Sequence, residues 1–123
     1  MSPTGERIRF IKHQGRRVLF FDLSKCSPKE VEKLARILPD FVTVQPRGSV
    51  LILTDFTGAS IDPEALRTMK ETAVFDKPFV KKSALIGTET LPETFYEQLK
   101  AFSGRELPIF KNREEALAWL VEE

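Results

Sequence analysis

The residues with the most chemical promise are Asp55-Phe56-Thr57-Gly58, delivered by the apolar run Val50-Leu51-Ile52-Leu53-Thr54 and followed by Asp62-Pro63-Glu64. A carboxylate, a hydroxyl and a glycine in a loop that leaves a buried strand stand where ligands, phosphoryl groups and partners meet a parallel sheet. Asp55 alone could bind a metal or serve as a base. No His or second carboxylate shares its motif, so capping of its own loop is the reading these residues favour.

Elsewhere the reactive side chains do not assemble. His13 falls in a turn with no acidic or thiol partner. The single cysteine, Cys26, precedes the helix start Ser27-Pro28, where a thiol can be acidified, but it has neither a His nor a Cys-x-x-Cys partner. Lys77, Lys81, Lys82, Arg105 and Lys111 could form an anion-binding rim. The chain lacks a Gly-rich phosphate loop and a basic patch interleaved with stacking aromatics, so a solvated charged face is the simpler account. No Ser/His/Asp arrangement, carboxylate pair or metal cluster emerges, and the expectation is a non-enzymatic protein without cofactor or metal. Phe is over-represented, ten copies against one Tyr and one Trp. Phe41, Phe56, Phe75 and Phe79 lie near helix ends and loops, where they line an apolar pocket or partner groove, or simply fill the core.

These residues must be held by elements whose order is legible. Arg7–Lys12 and Arg17–Leu23 read as strands joined by the turn His13-Gln14-Gly15-Arg16, hence an antiparallel hairpin, and the arginines on the first strand put it near a sheet edge. Ser27-Pro28-Lys29-Glu30 starts a helix with a capping box, and Val31, Leu34, Ala35 and Leu38 form its buried stripe. Pro39 should stop or kink it, with a kinked continuation through Phe41-Val42-Thr43-Val44 favoured. Ser49–Asp55 is the central strand, buried on both faces. Asp62-Pro63 opens a helix with Leu66, Met69 and Ala73 inward, ending by Lys77-Pro78. A strand over Lys82–Gly87 follows, then a helix with Phe95, Leu99 and Phe102 inward, closed at Ser103-Gly104. Leu107-Pro108-Ile109-Phe110 is a last strand, placed at an edge by Pro108. Asn112 caps a final helix with Ala116, Leu117, Leu120 and Val121 inward and Trp119 over the seam. The order is ββαβαβαβα.

A chain of 123 residues suits one domain, with residues 1–5 expected to be a flexible N-terminus. The net charge of +1 gives no global attraction to nucleic acid or anionic membrane. No apolar run is long enough to span a bilayer, the first residues lack the core of a secretion signal, and one cysteine fits a reducing cytoplasm.

The chain resembles the STAS-like proteins often labelled SpoIIAA-like, a family of small bacterial proteins grouped with Sec-type CRAL-TRIO lipid-binding domains. The resemblance is carried by Gln45-Pro46-Arg47-Gly48-Ser49-Val50, by Asp55-Phe56-Thr57-Gly58, by the segment from Asp76 to Gly87, and by Ser103-Gly104-Arg105-Glu106 through Phe110 to Leu120. It implies a single-domain α/β STAS/SpoIIAA-like fold with a mixed, mostly parallel sheet. In the better-known anti-sigma-factor antagonists the loop after the equivalent strand reads Asp-Ser-Ser-Gly, and a partner kinase phosphorylates its second Ser. Thr57 is similar to that serine in position, and Phe56 stands where the first Ser does.

The resemblance therefore implies a regulatory or protein-interaction module whose loop Asp55, Phe56, Thr57, Gly58 meets a protein partner, with Thr57 as the candidate phosphosite. The plainer alternative is an ST-turn in which Thr57 bonds a loop N–H and Gly58 supplies a permissive dihedral. A second functional reading is a binding protein for a small apolar or lipid-like ligand. Neither reading involves nucleic acid or a membrane span, and both are compatible with a homodimer.

Overall fold

The structure, a computed structural model, describes residues 7–104 and 106–122. The N-terminus expected to be flexible and Arg105 of the expected anion rim lie outside the described residues. Helix starts follow from side chains that take up loose backbone groups. In α1 (Pro28–Val42), Ser27 Oγ accepts from the Glu30 N–H at 3.3 Å and the Glu30 carboxylate accepts from the Ser27 N–H at 2.9 Å. Those bonds hold the Glu30 carboxyl below its usual range. Asp62 opens α2 (Pro63–Asp76) by accepting from the Ala65 N–H at 2.8 Å, and Asn112 opens α4 (Arg113–Val121) by accepting from the Glu115 N–H at 2.9 Å. Between them, α3 (Glu93–Ser103) ends at Gly104. Helix α1 continues past Pro39, as expected, but ends at Val42 instead of running through Thr43-Val44, which form a turn. The Pro39 carbonyl accepts from both the N–H and the hydroxyl of Thr43, at 2.9 and 2.8 Å.

The five strands are β1 (Ile8–His13), β2 (Arg16–Asp22), β3 (Val50–Asp55), β4 (Val80–Ile86) and β5 (Ile109–Phe110). The β1–β2 hairpin is antiparallel and turns at Gln14-Gly15, both at positive φ, which suits the right-handed twist of the strands. All other pairings are parallel, and spatial order equals sequence order, β1-β2-β3-β4-β5. The last strand is an edge, as Pro108 required, and the Pro108 carbonyl still accepts from the Leu85 N–H at 3.0 Å.

This order decides where the helices lie. Crossovers of one hand that all step the same way across a sheet put their helices on one face. Helices α1, α2 and α3 accordingly cover the face of Leu19, Phe21, Ile52 and Leu85, with Leu34, Leu38, Met69, Phe95 and Leu99 from the helices. Helix α4 follows β5, crosses no further strand, and is free to cover the other face. There Val18, Phe20, Leu51, Leu53, Ala84 and Ile86 meet Ala116, Leu117, Leu120 and Val121. Trp119 lies over this seam, its ring 5.7 Å from that of Phe110.

Three expectations change. Strand β4 begins at Val80 rather than Lys82, and one extra residue, Lys81, is accommodated where Val50 pairs with Val80 and Leu51 with Lys82. The buried face of α2 runs through Ala65, Thr68, Met69, Thr72 and Asp76, with Leu66 and Ala73 only partly buried. That helix lies between α1 and α3, so it buries polar side chains on its α1 flank; the Thr72 hydroxyl donates to the Ala35 carbonyl of α1 at 2.8 Å. Phe102 is 49% exposed, because the last turn of α3 meets the outer surface of α2, where Lys70 Nζ lies 5.4 Å from its ring. No described helix is long and apolar enough to cross a membrane.

Candidate functional site

Strands β2 and β3 end in register at Asp22 and Asp55, and each carboxylate closes the same turn. Asp55 Oδ1 accepts from the Thr57 N–H at 2.9 Å and the Thr57 hydroxyl at 2.6 Å. Asp22 Oδ1 accepts from the Ser24 N–H at 2.9 Å and the Ser24 hydroxyl at 2.6 Å. A residue at positive φ follows each turn, Lys25 at 57° and Gly58 at 71°. The parallel ladder continues through the turns, with the Leu23 N–H donating to the Asp55 carbonyl at 2.9 Å and the Lys25 N–H to the Thr57 carbonyl at 2.7 Å. The sheet thus ends in two adjacent Asp-x-Ser/Thr turns. Only the first was hidden from the sequence argument, although Asp22-Leu23-Ser24 has the same spacing as Asp55-Phe56-Thr57.

Asp55 therefore caps its own loop, and the Thr57 hydroxyl donates to that carboxylate instead of accepting a loop N–H. The turn is held from the β4 side as well. The Phe56 N–H donates to the Ile86 carbonyl at 2.9 Å, and Gly87, at φ +70°, lies directly against the Thr57 backbone. Around the Asp22 turn the Arg7 guanidinium donates to the Ser24 carbonyl at 2.8 Å and lies 3.8 Å from Asp22 Oδ1.

Phe56 points the other way from its neighbours. Thr57 and Gly58 are exposed and Asp55 is partly so, while Phe56 is fully buried and edge-on to Phe95 with ring centroids 5.5 Å apart. Its ring takes no part in the outer surface of the loop. Phe56→Ala should lower stability by about 3 kcal/mol, read as a shift in denaturation midpoint, because it opens a void in a closed core. A loss of only a few tenths would contradict this burial. Of the other phenylalanines, Phe41 and Phe79 are partly buried against the main core and Phe75 is exposed at the end of α2.

Beneath α2, on the sheet face it shares with α1 and α3, lies a cavity of about 80 Å³. Its walls include Phe21, Ile52, Phe56, Met69 and Leu99, with Thr54, Ser83 and Asp76 as polar members and Lys77 at the rim. Asp76 is 3% exposed, and its Oδ1 accepts no hydrogen bond from any described residue. Burial pushes this carboxyl up to about 7. Sequence reasoning passed over Asp76; the available signal was the polar series Thr68, Thr72, Asp76 at a spacing of one helical turn, which marks a polar stripe within a helix.

The lysines do not converge. Lys82 Nζ donates to the carbonyls of Trp119 and Glu122 at 2.8 and 2.7 Å, taking up orphan groups at the C-terminus of α4. Lys77 borders the cavity on the opposite sheet face, and Lys81 and Lys111 are exposed. Cys26 is buried, and burial raises its thiol above the ordinary value against an opposing pull from Arg7. Among the described residues no three His, Cys, Asp or Glu side chains are grouped as a metal ion needs.

With this geometry in view, the chain can be compared with known proteins. It is similar to the crystal structure of an uncharacterized protein from the DUF3478 family with a SpoIIAA-like fold, from Shewanella loihica PV-4. The TM-score is 0.67 and the identity 21%, over 92% of this chain and 91% of that one. No protein-family model and no curated protein matches the chain. The fold is therefore SpoIIAA-like, as the sequence resemblance implied, and the likeness extends across nearly the whole of both chains.

Proposed function

We propose that this protein is a non-enzymatic regulatory module of the cytoplasm that binds a protein partner through the carboxyl-end surface of β2 and β3, with Thr57 as its point of control. The observation that carries this reading is the exposed Thr57 hydroxyl, held in a preformed turn beside an equivalent turn at Ser24. A strand order that never reverses supplies no switch-point crevice at the carboxyl ends. Turns on such a surface suit contact with another macromolecule better than enclosure of a small molecule. The buried, unactivated Cys26 supports a reducing compartment.

The chemistry of control follows from one hydrogen bond. Phosphorylation replaces the hydroxyl hydrogen that now bonds Asp55 Oδ1 and adds about −1.5 to −2 charge beside that carboxylate. Repulsion would open the turn, and the partner would meet a different loop. The Ser24 turn, clamped by Arg7, would keep its shape.

The test is intact-mass and peptide analysis of protein from its native host across growth states, with partner capture by wild type, Thr57→Ala and Thr57→Glu. Phosphate on Thr57, with capture weakened roughly tenfold by Thr57→Glu and retained by Thr57→Ala, is the expected result. An unmodified Thr57 in every state, together with capture indifferent to both changes, would remove the switch.

A further inference from the structure

The two edges of the sheet are protected in different ways. An edge strand offers unpaired N–H and C=O groups to any passing chain, and proteins blunt it with brevity, proline, bulges or charge. Strand β5 is two residues long and follows Pro108. Strand β1 has six residues, no proline and an unbroken register from Ile8 opposite Phe21 to His13 opposite Arg16. Among the described residues it pairs with β2 alone. Charge is the one device left to it, and that charge has a single sign. Residues 7–22 hold Arg7, Arg9, Lys12, Arg16 and Arg17 against Asp22, in a chain whose net charge is only +1.

The cations are held on both sides of this edge. On the side of α1–α3, the Arg17 guanidinium reaches from β2 to lie 4.0 Å from the centroid of the Phe10 ring on β1. On the side of α4, the Arg113 and Arg9 guanidinium groups lie 4.4 and 5.1 Å from the centroid of the Phe20 ring. Stacking on a ring steadies a guanidinium while its N–H donors stay available at the rim of its plane. Arg17 and Arg113 are exposed, and neither has a carboxylate within ion-pair distance among the described residues.

This charge selects what the edge admits. A second copy, β1 against β1, would bring Arg9, Lys12 and His13 of both chains onto one seam, where like charges oppose each other. An added strand of another kind sends alternate side chains to opposite faces. Its carboxylates on one face would meet Arg9 and Arg113, and those on the other would meet Lys12 and Arg17. Phe10 and Ile11, both partly buried, give each face an apolar contact as well.

We propose that β1 is a docking edge for an extended acidic segment of another protein, which adds to the sheet as a further strand and is read by Arg17 on one face and Arg113 on the other. The site is apart from Thr57 and does not rest on the phosphorylation reading.

Backbone amide NMR of the labelled full chain, titrated with acetyl-Thr-Glu-Val-Glu-Glu-Val-Glu-Thr-amide, tests the edge. The spacing of that peptide puts glutamates on both of its faces. A second peptide has the same sequence with alternate residues of D configuration, so it keeps the charge but cannot lie in a regular ladder. A third has Lys in place of Glu. The first should give saturable shifts centred on Ile8–His13 and slow the hydrogen exchange of outward-facing β1 amides, with the second binding about tenfold more weakly and the third not at all. Arg17→Gln and Arg113→Gln should each weaken the first peptide roughly fivefold. The proposal is overturned if the first peptide gives no saturable shifts at millimolar concentration, if the shifts lie elsewhere, or if both variants bind as wild type does. Equal binding of the D-containing peptide would also overturn it, by reducing the edge to a plain cationic patch. So would β1 shifts that grow with protein concentration alone, which would assign the edge to a second copy.

Discussion

Gly87→Ala should destabilise the protein by about 4 kcal/mol, a large share of the roughly 5–15 kcal/mol that holds a domain of this size together. Two costs combine. Gly87 sits at φ +70°, where a side chain is strained, and an added Cβ would lie 2.5 Å from the Thr57 nitrogen and 2.8 Å from its Cα. Its closest neighbour would be the Thr57 hydroxyl oxygen. Backbone cannot yield as a side-chain tip can, because Phe56 and Lys25 fasten that loop to both neighbouring strands. Gly48→Ala is the control: Gly48 has φ +66° but no atom within 4 Å of the added Cβ, so it should show only the dihedral cost of about 1–2 kcal/mol. Urea denaturation of the two variants separates the costs. Equal losses would mean that the close approach of Gly87 to the Thr57 turn is not a tight constraint.

The second large effect is a pH dependence that Asp76→Asn removes. Burial raises the Asp76 carboxyl from its ordinary 3.8 to about 7, so between those values the folded chain holds a proton that the unfolded chain has released. Below about pH 4 both states are protonated and the group makes no difference. As pH rises to about 7 this term erodes stability, and above that the loss is complete. Its full size is roughly 4 kcal/mol at 1.36 kcal/mol per pKa unit, an order-of-magnitude figure. Denaturation midpoints at pH 5 and pH 8 should therefore differ more in wild type than in Asp76→Asn, with the variant the more stable at pH 8. Identical pH profiles would show that Asp76 is not held in a poorly solvated site.

Most of the scaffold was legible because its signals are local. The Ser27 box, the Asp62 and Asn112 caps, the turn at Gly15 and the edge position of Pro108 each depend on a few neighbouring residues, and each stands where those residues put it. What escaped depends on contacts between elements. The rotation of α2 was misjudged because its apolar residues are few, while Thr68 and Thr72 lie on the side that meets α1, which the sequence of α2 does not reveal. The Asp55 loop was located correctly, but the inward ring of Phe56 required knowing that Phe95 would be there to meet it. The twin turn at Asp22 needed the register between β2 and β3, which is a property of two strands together.

A sheet whose spatial order repeats its sequence order can be laid down as the chain is made. Each new strand adds to the edge formed by the one before it, so nothing already paired has to open to admit a later arrival. The same arrangement leaves a hazard during synthesis. The face of Val18, Phe20, Leu51, Leu53, Ala84 and Ile86 has no cover until α4 has followed β5. A nascent chain with four strands in place would present that greasy face to its surroundings, so aggregation is most to be feared in the interval before α4 is made.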